Sequence, residues 1–282
     1  MKPLVLTGPT AAGKTAAALE IAERHGAIVV SMDAMQVYRG MDVGTGKVSL
    51  ADRARVEHRC VDIREADEPF SAADFAAEAS AAIATGRPVI LCGGTPFYLR
   101  AFLVPLVEAP PVDPALRTRL ESLENPHAAL LDVDPALASR LHPNDRVRVV
   151  RGLEYKALTG RRLSEVHDAD RRARRDAEVV WLDAPDLAER IDRRVLSMLE
   201  EGYVAETERL LARFPRDIKP LLSLGYRHVA AHLLDGLPLA EAVALTQQDT
   251  RRFARKQRSF FRSLGLAPGG DPALAAARAF AR

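Results

Sequence analysis

The stretch Gly8-Pro9-Thr10-Ala11-Ala12-Gly13-Lys14-Thr15 decides how the rest of the chain is read. It fills the phosphate-loop pattern G-x-x-x-x-G-K-[ST] in the context that pattern requires. The apolar run at 4–7 predicts a short buried strand, and residues 15–25 show helical periodicity through Ala18, Leu19 and Ala22. Glycines let successive backbone amides point into one concavity, the helix N-terminus adds its positive dipole end, and a lysine adds a compact charge for terminal phosphate oxygens. Thr15 supplies a hydroxyl for magnesium. Only six of the 40 basic residues are lysines, so a lysine at position 14 points to a demand that arginine does not meet.

Outward from this loop, strands alternate with helices. Residues 27–31 read as a second strand, 33–49 as a polar, glycine-rich loop, 72–84 as an alanine-rich helix and 88–92 as a third strand. This alternation predicts a parallel sheet. The pattern changes at Ala109-Pro110-Pro111, after which 113–123, 135–141 and 145–159 read as helices. The last of these starts from His142-Pro143-Asn144-Asp145, where His142 and Asn144 read as caps. A basic run of Arg171, Arg172, Arg174 and Arg175 reads as a solvated loop, and 179–182 returns the chain to the sheet. The expected fold is therefore α/β: a P-loop NTPase-like parallel sheet flanked by helices, with a mostly helical insertion domain. The catalytic core takes 1–111 and 177–282, including C-terminal helices, and the insertion takes 112–176.

Composition narrows the classes. A chain of 282 residues, 48% hydrophobic and 28% charged, can bury a substantial core. No signal peptide and no run of transmembrane length is expected, and Cys60 and Cys92 read as buried thiols suited to a reducing cytoplasm. The net charge of +2 hides a segregation, because residues 251–262 hold six basic residues and no acid. Arg251, Arg255, Arg258 and Arg262 recur at steps of four, three and four, which places them on one helix face. Such a face suits an anionic polymer.

A phosphate loop that transfers phosphoryl groups also needs an aspartate closing a neighbouring strand to hold magnesium. Here 88–92 runs into Gly93-Gly94-Thr95, which offers amides and a hydroxyl but no carboxylate. The nearest carboxylate at the strand ends is Asp33, where an open α/β sheet binds its ligand. Its carboxylate could hold magnesium, act as a base, or cap a turn.

Several blocks in fixed order carry a resemblance to the tRNA dimethylallyltransferase family, the isopentenylpyrophosphate:tRNA transferases. They are GPTAAGKT at 8–15, DAMQVYRGMDVGTGK at 33–47, SAADF at 71–75, GGTPFYLRA at 93–101, LHPNDRVRVVRGLEY at 141–155, GYR at 225–227 and RRFARKQRSFFR at 251–262. The resemblance implies that the loop grips the pyrophosphate of dimethylallyl pyrophosphate with Mg2+ as cofactor. The allylic carbon then passes to the exocyclic amine of the adenosine on the 3′ side of the anticodon. It implies catalytic roles for Asp33, Thr95 and Arg194, with Asp33 as base, Thr95 orienting the amine and Arg194 on the pyrophosphate. Arg190, one helical turn from Arg194, is a weaker candidate whose alternative is pairing with Glu189 or Asp192.

For the tRNA anticodon stem-loop the resemblance points to Asp33, Ala34, Met35, Gln36 and Thr95 at the base. Arg117, Arg148, Arg151, Arg227, Arg251, Arg255 and Arg258 are the expected RNA contacts of the insertion and the C-terminal helices. A cytoplasmic monomer with no membrane partner is expected. The chain departs from the family's usual residues at Ala34 (serine), Gly46 (alanine), Val48 (proline), Pro96 (glycine) and Phe260 (tryptophan). An adenylate isopentenyltransferase and a P-loop small-molecule kinase are the rival readings.

Overall fold

A computed structural model describes residues 1–104, 110, 113–170 and 175–281. The chain divides into a core unit, Met1–Leu103 with Asp176–Arg282, and a second unit, Val104–Arg175. The core unit opens with β1 (Leu4–Thr7), α1 (Lys14–His25), β2 (Ile28–Ser31), α2 (Leu50–Arg55) and β3 (His58–Arg59). It continues through α3 (Ala72–Ala84), β4 (Val89–Cys92) and α4 (Pro96–Leu103). The second unit holds α5 (Pro114–Glu121), α6 (Pro126–Val133), α7 (Pro135–Ala138), α8 (Arg146–Thr159) and α9 (Leu163–Asp170). The core resumes with β5 (Glu178–Trp181), α10 (Leu187–Glu200), α11 (Tyr203–Leu211), α12 (Tyr226–Asp235), α13 (Leu239–Ser263) and α14 (Pro272–Phe280).

The five strands lie in the order β3-β2-β4-β1-β5 and pair in parallel throughout. β1, β2 and β4 are four-residue apolar strands buried along their whole length, as a sheet covered on both faces requires. Leu4, Leu6, Val29 and Ile90 pack with Ala18, Ile21 and Ala22 of α1 and with Ala275, Ala276 and Phe280 of α14. Phe75 of α3 stacks on Tyr98 of α4 at 4.8 Å between centroids. The chain leaves β1 for β2 and β3 on one side, returns through β4, and then passes to β5 on the other side. This reversal opens a crevice at the C-terminal ends of β1 and β4, where such sheets take their ligands. The loops carrying Gly8–Thr15, Asp33 and Gly93–Thr95 all leave strands at that edge. Gly8 is held at φ 143°, and a Cβ there would lie 2.0 Å from the Leu182 carbonyl oxygen, so only glycine lets the loop pass the end of β5.

Three elements of the core, α2, β3 and α4, were not among those expected. Between β2 and α3 the structure adds α2 and the edge strand β3, so the strand read as third is the fourth in the chain. β3 is two half-buried polar residues, His58 and Arg59, and carries no apolar run to read. In the second unit, Leu130, Leu137, Val149, Leu153, Leu163 and Val166 form a separate core, and α6 and α9 join the expected helices. The helix read at 135–141 ends at Ala138, and the one at 113–123 ends at Glu121. Asp145 caps α8, accepting from the Arg148 amide, whereas His142 Nδ1 accepts from the Asn144 amide one turn earlier. Ala109 and Pro111 at the expected boundary, and Arg171, Arg172 and Arg174 of the basic run, lie outside the described residues. No described helix is long and apolar enough to cross a membrane.

Candidate active site

A cavity of about 510 Å³ opens at the crevice and is lined wholly by the core unit. One side of it is the phosphate loop. Lys14 lines the cavity, half-buried, and its Nζ donates to the Pro9 carbonyl at 2.6 Å. Burial lowers its pKa from 10.5 to about 8. Arg194 of α10 enters the same cavity, its pKa also lowered by burial, with only a long bond from Nη2 to the Gly46 carbonyl at 3.4 Å. Gly46 has φ 57°, and a Cβ on it would sit 1.6 Å from Arg194 Nη2, so the glycine at this position gives the guanidinium its place. Among the described residues, no carboxylate pairs with either cation. Two positive groups are therefore held in a concavity with no carboxylate in ion-pair contact, although Asp33 in the same cavity acts on both from a distance.

The opposite wall carries Asp33, Ala34, Met35, Gln36 and Thr95. Asp33 Oδ1 accepts from the Met35 and Gln36 amides at 2.8 and 3.3 Å, so one oxygen caps the turn after β2. Oδ2 has no hydrogen bond among the described residues. The cap thus uses one oxygen of the carboxylate and leaves the other without a partner among the described residues. Thr95 Oγ1 accepts from the Ala34 amide at 3.1 Å, which docks the loop after β4 onto the turn that carries Asp33. Gln36 accepts from Ser31 at 2.8 Å and reaches toward the Thr45 and Gly46 carbonyls at 3.4 Å. β4 ends at Cys92, whose thiol burial pushes up to about 11, so a neutral group stands near Lys14 where a phosphoryl-transfer site would place a carboxylate.

Further residues shape this cavity that had no expected site role, although Tyr226 and Gln257 fall within the blocks GYR and RRFARKQRSFFR. The loop at 42–47 is held by Glu206, whose buried carboxylate accepts from the Asp42, Val43 and Gly44 amides at 2.8, 2.7 and 3.0 Å and from Tyr226 Oη at 2.6 Å. Tyr203 and Tyr226 meet edge to face at 5.0 Å and line the cavity with Val195, Met198 and Leu224, giving it an apolar end. Gln257 of α13 also lines it and touches both the phosphate loop and the loop after β4.

The arginines sort differently from expectation. Of those in the core unit, only Arg194 lines the cavity. Arg190 pairs with Asp186 at 2.8 Å, one turn earlier on α10, rather than with Glu189 or Asp192. The face of α13 read as free of acids meets them from other elements: Arg251 pairs with Asp192 of α10, and Arg258 forks onto Asp183 beyond β5 at 2.8 and 2.6 Å. Arg262 lies over the Trp181 ring at 5.9 Å, and Arg227 pairs with Asp249. Arg255 is exposed with no ion pair among the described residues. In the second unit, Arg117 and Arg151 share the buried Glu154 at 2.9 and 2.5 Å, and Arg148 pairs with Asp145 at 3.2 Å.

As a place for magnesium, the cavity offers the Thr15 hydroxyl and the Asp33 carboxylate, both hard oxygen donors. No group of three His, Cys, Asp or Glu side chains fit to hold a metal occurs among the described residues. That donor set fits an ion that keeps most of its shell as water and phosphate oxygens.

Comparison with known proteins bears on the family. The IPP transferase family model matches residues 36–264. A tRNA dimethylallyltransferase of Geobacter metallireducens is 44% identical over 274 residues, 92% of this chain and 89% of that protein. One from Anaeromyxobacter dehalogenans is 44% identical over 99% of both chains. The solved tRNA isopentenylpyrophosphate transferase of Bacillus halodurans superposes with a TM-score of 0.66 at 33% identity, over 93% of this chain and 86% of that one. A eukaryotic dimethylallyltransferase caught acting on tRNA shares the fold, with a TM-score of 0.82 at 24% identity over 92% of this chain and 69% of that one. By family-model match and by identity over nearly its whole length, the chain belongs to the IPP transferase family, together with the tRNA dimethylallyltransferases.

Proposed function

We propose that this protein transfers a dimethylallyl group from dimethylallyl pyrophosphate to the exocyclic amine of the adenosine 3′ to the anticodon of tRNA, releasing pyrophosphate. The observation that carries the reading is the cavity in which Lys14 and Arg194, neither in an ion pair among the described residues, share their space with Asp33 and Thr95. The phosphate loop and the two cations hold the pyrophosphate and stabilise the charge that grows on its bridging oxygen as the carbon–oxygen bond breaks. Arg194 and Lys14 sit in partial burial, where such charge–charge attraction is stronger than in water. The apolar end formed by Val195, Met198 and Leu224 takes the hydrocarbon.

The amine nitrogen forms its bond to the primary allylic carbon while the electron pair of the broken bond leaves with pyrophosphate. Nitrogen then carries a proton in excess, and Asp33 Oδ2 is the acceptor, with Oδ1 anchored by the turn. Thr95, already accepting from the Ala34 amide, keeps its hydroxyl hydrogen to donate to the incoming base. An adenine in a stacked loop reaches this cavity only when extruded, and Ala34, Met35 and Gln36 form the wall that would receive it. Magnesium, held by Thr15 with phosphate oxygens, would neutralise part of the pyrophosphate charge.

The test is transfer of label from dimethylallyl pyrophosphate into tRNA with magnesium and no ATP, read by nucleoside mass spectrometry as dimethylallyl adenosine. Label entering free adenylate but not tRNA would select the nucleotide prenyltransferase reading. Transfer of the ATP γ-phosphate with unlabelled tRNA would select the kinase reading.

A further inference from the structure

Gln257 is a polar residue on the inward face of α13, which otherwise buries Ala242, Thr246, Ala254 and Phe261. It is 2% exposed. Its Oε1 accepts from the Thr10 amide at 3.1 Å, and its Nε2 donates to the Gly94 carbonyl at 2.6 Å. The orientation of the amide follows from its partners, since a backbone N–H can only donate and a carbonyl can only accept. A buried amide with both partners satisfied is costly to replace, and nothing in the packing of an apolar helix face calls for one.

The two partners belong to the two halves of the site. Thr10 is in the loop that grips the leaving group, and Gly94 precedes Thr95, which is docked by the Ala34 amide onto the turn carrying Asp33. Ala254, one turn away on α13, packs with Ala12 of the phosphate loop and with Leu187 and Ile191 of α10. Arg258, on the other side, is forked onto Asp183. Gln257 is thus held on a rigid helix and ties two loops that otherwise meet only at their bases, where Thr7 Oγ1 donates to the Gly93 carbonyl at 3.2 Å and a Cβ on Gly94 would lie 2.9 Å from the Gly8 carbonyl oxygen.

We propose that Gln257 is a positioning residue that fixes the distance between the pyrophosphate grip and the base-bearing wall. This rests on the transfer reaction proposed above. A displacement needs nucleophile, carbon and leaving group in line, and an error of about 1 Å in such an arrangement costs about 10² in rate. The Thr10 amide is spent on Gln257, so the tie sets geometry rather than adding an anion contact.

The chemistry of the tie gives a test that a merely structural role would not pass. In Q257L neither partner is satisfied. In Q257E the carboxylate still accepts from Thr10 but faces the Gly94 carbonyl with a lone pair, whereas the protonated acid can donate to it as the native amide does. Single-turnover transfer at saturating tRNA and donor should fall about 10²-fold in Q257L, with inorganic pyrophosphate affinity changed by less than about tenfold. The ratio of Q257E to wild-type rate should climb as pH falls from about 8 toward 5, the range into which burial raises a carboxylic acid. Taking the ratio removes whatever pH dependence the other charged and titratable groups of the cavity, Lys14, Asp33, His58, Cys92, Arg194, Tyr203 and Tyr226, give to wild type and variant alike. A wild-type rate in either variant, or a Q257E ratio flat with pH, overturns the proposal.

If Q257L does not fold, the Q257E ratio decides alone. Hydrogen exchange at the Thr10 amide in the free protein, read by NMR, tests the tie without any transfer reaction. Exchange should be faster in Q257L than in wild type and close to wild type in Q257E, whose carboxylate keeps the Thr10 bond. Unchanged protection in Q257L overturns the tie, whereas a wild-type protein that moves no label into tRNA sinks the function proposed above instead.

Discussion

Lys47 and Lys14 both lie in the core unit, yet Lys47 is bonded to Asp42 and Asp62 at 2.7 and 2.6 Å, whereas Lys14 reaches only the Pro9 carbonyl. The Lys47 side chain is 1% exposed, and the cost of burying its charge is met by the protein's own anions. Around Lys14 and Arg194 no carboxylate comes within ion-pair distance among the described residues, and burial lowers the pKa of each. The two carboxylates differ in the same way. Asp62 spends one oxygen on Lys47 and the other on Arg53 at 2.5 Å, while Asp33 keeps Oδ2 uncommitted among the described residues. Where charge is closed on itself, the chain is building a loop; where it is left open, a ligand completes the arrangement.

The comparison breaks first at the carboxylates, where the largest effect is expected. Asp33→Asn keeps shape and the turn cap but cannot take the proton, so single-turnover transfer should fall by about 10² to 10⁴ while tRNA and donor still bind. Partial recovery at high magnesium, with weakened donor binding, would make Asp33 a ligand of the ion instead. Asp62→Asn should leave the rate per folded molecule near normal and lower the unfolding midpoint.

The lysines give a double dissociation of intermediate size. Lys14→Met should weaken pyrophosphate binding by about 10- to 100-fold with little loss of stability, since it removes an unpaired buried charge. Lys47→Met should cost about 2 to 3 kcal/mol, less than a fully buried pair because Asp42 and Asp62 keep some solvent. Calorimetric titration with inorganic pyrophosphate and urea unfolding on both variants would read it. Matching behaviour of the two would erase the contrast.

Proton linkage sharpens the same contrast without mutation. The free protein loses the Lys14 charge as pH rises through about 8, and a bound anion favours the charged form. Pyrophosphate binding should therefore take up a proton near that pH and weaken above it, seen as a heat that varies with the ionisation enthalpy of the buffer. The unfolded chain holds this proton up to 10.5, so the stability contribution of Lys14 rises with pH between about 8 and 10.5. Binding with no proton uptake would mean that Lys14 is already charge-compensated.

The smallest effect concerns α13. Arg258 and Arg251 are closed on Asp183 and Asp192, so they resemble Lys47 more than Lys14. Exposed Arg255 is the better candidate for an RNA phosphate, and Arg255→Ala should lower the log–log salt slope of tRNA binding by roughly 0.7 to 0.9. Arg258→Ala should instead lower stability. An unchanged slope for Arg255→Ala would make this face a solvated surface.

The phosphate loop, its flanking strand and helix, and the family were open to reading because their signals are local: a glycine spacing, an apolar run, a helical period. The same holds for Asp33 at a strand end and for the missing carboxylate after β4. What could not be read depends on partners far along the chain. Glu206 lies 164 residues from the Asp42 amide it holds, Gln257 lies 247 from Thr10, and Asp183 lies 75 from Arg258. An arginine face looks free of acids when only its own helix is inspected, because acids that neutralise it are brought by another element. The chemistry available at the crevice follows from the residue types along the chain. Which charges the protein closes and which stay open follows from the folded arrangement, because ion pairing and hydrogen bonding act over a few ångströms of space, whatever the distance along the chain.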